Sequence, residues 1–181
     1  FVAIVQARVP LIGAARRDVG WMAVGRSCAI AEFLLVALAM LALMHAYFTS
    51  DFSVINVAEN SHTDKPLLYK ITGTWGNHEG SILLWCLIMG VCGGAVAAFG
   101  RNLPASLRAR VIGVLGASSC GFTLFALLAS NPFLRMWPPP ANGQDMNPLL
   151  QDLGLAIHPP ILYSGYVGFS VPGAVAVAVL L

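Results

Sequence analysis

Four histidines, His45, His62, His78 and His158, are the side chains in this sequence best suited to bind a metal or exchange a proton near neutral pH. His158 is the strongest candidate, because Pro159 and Pro160 follow it directly. A residue before proline is pushed out of helical geometry, whereas proline suits the first turn of a helix. The spacing therefore predicts His158 as the cap of a helix that begins at 159. The positive end of a helix disfavours a charged imidazole, and the neutral ring is the form that ligates iron. Tyr163, Tyr166 and Phe169 add aromatic and apolar surface nearby. From the residues alone two readings stand, an iron ligand suited to haem and a structural cap.

His78 lies in TWGNHEGSILLW, residues 74–85. Asn77 is placed to cap a helix starting there, and Glu79 would meet the positive helix end in its first turn. His78, Ser81, Ile82 and Trp85 would then share one face. Trp75 fits an interfacial aromatic belt. His78–Glu79 opens like the zinc-protease pattern H-E-x-x-H, but position 82 is Ile, so the second ligand is missing. His45, beside Tyr47 and Phe48, reads as interfacial, and His62, in ENSHTDK, reads as solvated. Cys28, Cys86, Cys92 and Cys120 show no C-x-x-C spacing and read as buried apolar residues. Glu32 is a carboxyl inside an apolar run, a functional candidate by its location.

Only a membrane can surround the elements that carry these groups. Of 181 residues, 57% are hydrophobic and 10% charged, and the mean hydropathy is +0.76. Soluble domains carry about 25% charged residues. The expected fold class is all-α, a polytopic transmembrane helical bundle. Apolar runs place spans near 1–15, 27–49, 80–100, 111–130 and 159–181, about five in all. The first reads as clipped, and the chain as the N-terminal part, 1–181, of one longer membrane domain. Scattered basic residues and a net charge of +2 give no nucleic-acid surface.

Arg16, Arg17 and Arg26 in one connection, and Arg101, Arg108 and Arg110 in another, mark the cytoplasmic side. The two long connections, 50–79 and 131–158, then lie outside, and long connections tend to be functional. Gly90 and Gly94 form a G-x-x-x-G, and Gly113, Gly116, Ala117 and Gly121 a stripe of small residues; both read as helix-packing surfaces. Pro172 is expected to kink the last span.

TWGNHEGSILLW, SNPFLRMWPPP and NPLLQDLGLAIHPPILYSGYVGFSV, in this order and with the DFSV…VAENS segment (51–61), resemble the CcmF/NrfE family of cytochrome c biogenesis proteins. The resemblance covers roughly Ala14 to Val171. It implies a haem lyase component on the outer, periplasmic face of the bacterial inner membrane. Such a protein receives haem from a haem chaperone and works with other cytochrome c maturation membrane subunits. It serves the joining of haem vinyl groups to the C-x-x-C-H thiols of an apocytochrome c, the acceptor partner. By the resemblance, His158 matches an axial haem ligand, and His78, Trp75 and Tyr163 are further candidate haem contacts. The tryptophan-rich W-G-x-W-W-x-W-D signature, the second outer histidine and two membrane histidines of the family are not in this sequence, so the chain alone is expected to be inactive. The alternatives from other classes are a polytopic transporter and a scaffold subunit without haem chemistry.

Overall fold

The computed structural model describes residues 1–148 and 151–181. Leu149 and Leu150 of the NPLL stretch lie outside the described residues. The described residues form eight α-helices: α1 (Val2–Arg16), α2 (Val19–Thr49), α3 (Ile55–Asn60), α4 (Leu67–Gly73), α5 (His78–Phe99), α6 (Ala105–Leu128), α7 (Leu153–Gly168) and α8 (Ser170–Leu180). A 3-10 turn, Gly100–Asn102, follows α5. No strand is formed among the described residues, only the isolated bridge between Val54 and Arg135.

Among the described residues, four segments are long and apolar enough to cross a membrane: Val19–Thr49, His78–Asn102, Ala105–Leu128 and Ala156–Leu180. They coincide with the last four expected spans. The first expected span forms α1, whose 15 residues reach about 22 Å at 1.5 Å per residue. Helix α2 starts eight residues before the expected 27 and absorbs most of the arginine-bearing connection. The physical cause is Asp18, whose carboxylate accepts the Trp21 N–H at 3.1 Å and caps the helix there. Arg17, in left-handed conformation at φ 54°, ends α1. Pro172 cannot donate to the Gly168 carbonyl, and the helical pattern lapses at Phe169 between α7 and α8, although Phe169 keeps right-handed helical dihedrals and Ala156–Leu180 runs as one span-length segment.

The described chain divides into two compact units. The first comprises Phe1–Ala37, Trp85–Leu124 and Tyr163–Leu181. Met89, Val111, Leu115, Val167, Ala174 and Ala178 form its main buried cluster, with Trp85 and Tyr163 packed against it. The small residues do pack helices closely here. A Cβ on Gly90 would lie 3.2 Å from the Phe33 Cα, and one on Gly116 would lie 2.7 Å from the Gln6 Cγ. Gly121 is different, because a Cβ there would meet nothing within 4 Å.

The second unit comprises Leu38–Leu84 and Phe125–Leu162. It holds both long connections, and the structure zips them together. Ile55 N–H donates to the Leu134 carbonyl at 2.9 Å, Met136 N–H to Ser53 at 2.9 Å, and Gln144 N–H to Ala58 at 2.7 Å. The fully buried Lys65 side chain pairs with Asp145 at 2.9 Å and donates to the Asn60 carbonyl at 2.9 Å. Gly143 permits the closest approach, since a Cβ there would stand 1.9 Å from the Ser61 carbonyl oxygen. Burial pushes the Asp145 carboxyl up, but hydrogen bonds from Lys65 and the Met146 N–H outweigh it and hold it below the ordinary carboxylate range. Hydrogen bonds from the Ser53 hydroxyl hold Asp51 low in the same way, against a smaller upward push from burial, with Arg135 assisting.

Candidate functional site

Helix α5 begins at His78 because Asn77 caps it: the Asn77 Oδ1 accepts the Gly80 N–H at 2.8 Å. The same side chain joins a polar cluster. Asn77 Nδ2 donates to the Gly73 carbonyl at 2.8 Å and to the Tyr47 hydroxyl at 3.0 Å. Tyr47, fully buried at the end of α2, donates to Asn56 Oδ1 at 2.7 Å. Asn56 Nδ2 donates in turn to Asn77 Oδ1 at 2.8 Å and to Glu79 Oε2 at 3.2 Å. Ser81 Oγ closes the loop onto the Trp75 carbonyl at 2.8 Å. Gly80 has no room for a side chain: a Cβ would lie 1.7 Å from the Thr74 carbonyl oxygen. Thus Asn77, Glu79 and Gly80 of the WGNHEG stretch are bound into the joint of α2, α3 and α5. Its histidine is not. His78 is exposed, with its ring edge-on to Phe125 at 6.5 Å.

His158 sits elsewhere than expected. It is the sixth residue of α7, not its cap. Asp152 starts this helix, accepting the Gly154 N–H on its carboxylate at 2.7 Å and the Ala156 N–H on its carbonyl at 3.0 Å. Pro159 and Pro160 are therefore inside the helix. Pro160 has no N–H to give the carbonyl four residues back, at Ala156. The Trp75 indole supplies it instead, donating from Nε1 to the Ala156 carbonyl at 3.1 Å. That tertiary bond offsets the proline defect, and it explains why the local preference of a pre-proline residue is overridden. The argument from a positive helix end needs the first turn, so it no longer bears on His158.

The His158 ring itself is free of the packed interior. The residue is exposed, and so are Ile157 (56%), Ile161 (66%) and Leu162 (38%) around it. The residue thus stands on an uncovered apolar stretch of α7, and an imidazole nitrogen is a fitting axial donor for haem iron. Tyr163 belongs to the first unit, where it packs on Trp85 at 5.7 Å between ring centroids. His62 is half-buried: its Nδ1 accepts the Asp64 N–H at 3.2 Å, and its Nε2 lies 2.9 Å from the Asn142 amide nitrogen. It ties the two long connections together, where the sequence suggested a solvated ring. His45 is exposed. The cysteines are free thiols, Cys86 buried and the others partly so. Glu32 is buried at 5% exposure and accepts a short hydrogen bond from Ser119. Among the described residues, no three metal-ligating side chains converge.

The tie between Trp75 and Ala156 is the feature that sequence reasoning missed. Its signal was present in two prolines in a row, which must leave helical carbonyls in need of donors.

Comparisons with known proteins agree on one family. The family model described as cytochrome C assembly protein matches residues 75–181, from the tryptophan of WGNHEG across the HPP residues of α7 to Leu181. The chain is 59% identical over 180 residues to a cytochrome c-type biogenesis protein of Rhodobacter capsulatus. It is 50% identical over 181 residues to the cytochrome c-type biogenesis protein CcmF of Pseudomonas aeruginosa. Each alignment covers 99% of this chain and 28% of the relative, so the chain spans little more than a quarter of their length. A solved structure of the cytochrome c haem lyase CcmF superposes with a TM-score of 0.84 at 28% identity, over 98% of this chain and 28% of that one.

Proposed function

The chain belongs to the cytochrome c assembly protein family, and on that premise we propose that it forms one wall of a haem-holding site for cytochrome c maturation. The proposed setting is the outer face of the bacterial inner membrane, with haem as the carried substrate and an apocytochrome c as acceptor. Haem supplies an iron for axial ligation and vinyl carbons for the thioether bonds. This chain supplies position: His158 offers a ring nitrogen from a helix whose Ala156 carbonyl is held by Trp75. Holding reactants in register is itself a large contribution to rate, and the bond-forming chemistry belongs to haem and thiol. Ile157, Ile161 and Leu162 present apolar surface to a macrocycle edge. Trp75 acts through the helix and is a positioning residue. His78 is exposed in the same unit and stands as a further contact. Tyr163 contributes by anchoring its part of the helix on Trp85. A haem chaperone and other maturation subunits are the proposed membrane partners.

The observation that carries this reading is the exposed His158 imidazole on an apolar face. It is tested in cells that lack the native gene and carry a c-type cytochrome reporter. His158→Ala in the intact protein should reduce covalently attached haem in the reporter at least tenfold, while the protein accumulates normally in the membrane. Undiminished attachment would remove His158 from the site.

A further inference from the structure

The first unit carries a charged feature that haem handling does not explain. A recess of about 150 Å³ lies between the opening turns of α2 and of α6. Arg26 of α2 and Arg108 of α6 both line it, against an apolar wall that includes Val19, Met22 and Ile112. Roughly 10–15 Å³ is enough to hold one water, so a phosphate group with part of its hydration fits there.

Charge and position together point to an occupant. Among the described residues Arg26 is exposed and makes no ion pair and no side-chain hydrogen bond. Arg108 is half-buried and gives Nη1 to the Gly100 carbonyl at 3.5 Å, which leaves most of its five guanidinium donors to offer. Arg16, Arg17, Arg101 and Arg110 belong to the same ends of these helices, and the carboxylate among them is Asp18. It accepts the Trp21 N–H and pairs with no arginine. Helix α6 begins at Ala105 on the rim of the recess and has no acidic residue in its first turn, so its positive end adds to the same field. The second observation is where this charge stands. Val19 and Ala105 begin two of the segments long and apolar enough to cross a membrane, and the exposed Trp21 beside them is of the type that collects at the membrane–water boundary.

We propose that this recess binds the headgroup of an anionic phospholipid. A guanidinium matches a phosphate through two parallel N–H bonds, and here two of them come from different helices onto one recess. The apolar wall favours a lipid over a free phosphate, because an acyl chain gains from lying along Val19 and Met22 and an inorganic ion does not. Basic pockets between membrane helices on the arginine-rich side are a recurrent form of such sites. Bound there, the lipid would fasten α2 to α6 within the first unit, independently of His158 in the second.

The test is a lipid titration of the intact protein, delipidated in a neutral detergent and read by thermal unfolding and by native mass spectrometry. Phosphatidylglycerol should bind saturably and raise the melting temperature. Phosphatidylcholine with the same acyl chains, and inorganic phosphate, should each be at least tenfold weaker. Arg26→Gln should weaken phosphatidylglycerol binding at least fivefold, and adding Arg108→Gln should weaken it further. Arg101→Gln removes the same charge from an exposed position outside the recess and should change binding twofold at most. Arg26 is the decisive position, because it is exposed and has no hydrogen bond whose loss could unfold the protein. Equal binding of phosphatidylcholine, a response that inorganic phosphate reproduces, or a loss in Arg101→Gln as large as that in Arg26→Gln would each overturn the proposal. So would binding that Arg26→Gln leaves unchanged, or no saturable response at all, the result expected if another part of the intact chain fills the recess.

Discussion

Two stretches of the second unit are equally unusual in sequence, WGNHEG at 75–80 and IHPPIL at 157–162, and the structure uses them in opposite ways. In the first, Trp75, Asn77 and Glu79 each hold a hydrogen-bond partner outside their own turn, and Gly80 is pressed against a carbonyl. In the second, the imidazole and its apolar neighbours are left uncovered. The difference teaches how to separate a structural motif from a stretch proposed to face a partner. In WGNHEG only His78 stays outside that network, while in IHPPIL the exposed imidazole stands among exposed apolar residues. Trp75 connects the two, because its indole satisfies the helix that carries His158.

Substitutions can break or sharpen this contrast, and the largest effect belongs to Gly80. Gly80→Ala would drive a methyl to 1.7 Å from the Thr74 oxygen, costing about 3 kcal/mol or more of stability. Thermal melts and membrane accumulation of the intact protein would show it. Asp145→Asn comes next, because it removes the ionic partner of a buried lysine. About 1–3 kcal/mol is expected, since Asp145 itself is partly in solvent. Trp75→Phe keeps the ring but removes the N–H donated to Ala156. It should cost about 1–2 kcal/mol and lower haem retention as well, because the helix bearing His158 loses its support. If Trp75→Phe alters melting and leaves haem retention untouched, the two stretches are not coupled.

The smallest of these effects is a pH dependence. Asp51 and Asp145 both have carboxyls held below their ordinary range in the folded state. The unfolded chain therefore binds more protons at acid pH, and stability rises with pH there. Their contribution should be complete well above the unfolded value of about 3.9 and fade as pH falls below it through the lower folded values. Asp145→Asn should flatten that part of the melting-temperature profile. An unchanged profile would show that the Lys65 pair does not set it.

Much of this arrangement was legible in the residues. Apolar run length marked the helices long enough to cross a membrane, and Asn77 signalled the start of α5. These are local signals, carried by a few neighbouring residues. The misreadings share a different cause. Pro159 and Pro160 locally favour a helix beginning, but a tryptophan more than 80 positions away supplies the missing donor and lets α7 start at Leu153. His62 looks solvated among polar neighbours until Asn142, 80 residues on, meets it. The joining of the two long connections was not legible, because the pairing between Val54 and Arg135 has no periodic trace in sequence. The cap at Asp18 is itself a local signal, sitting beside Arg16 and Arg17.

The central claim is that the free imidazole on α7 holds haem, and it is tested most directly by chemical replacement of that ring. His158→Gly should leave the intact protein's melting temperature nearly unchanged, since the side chain packs against little, and should strip its bound haem, read as the loss of the Soret band. Added imidazole should then restore that band in the His158→Gly protein. Full haem occupancy in the variant without imidazole, or a loss that imidazole cannot reverse, would contradict the assignment.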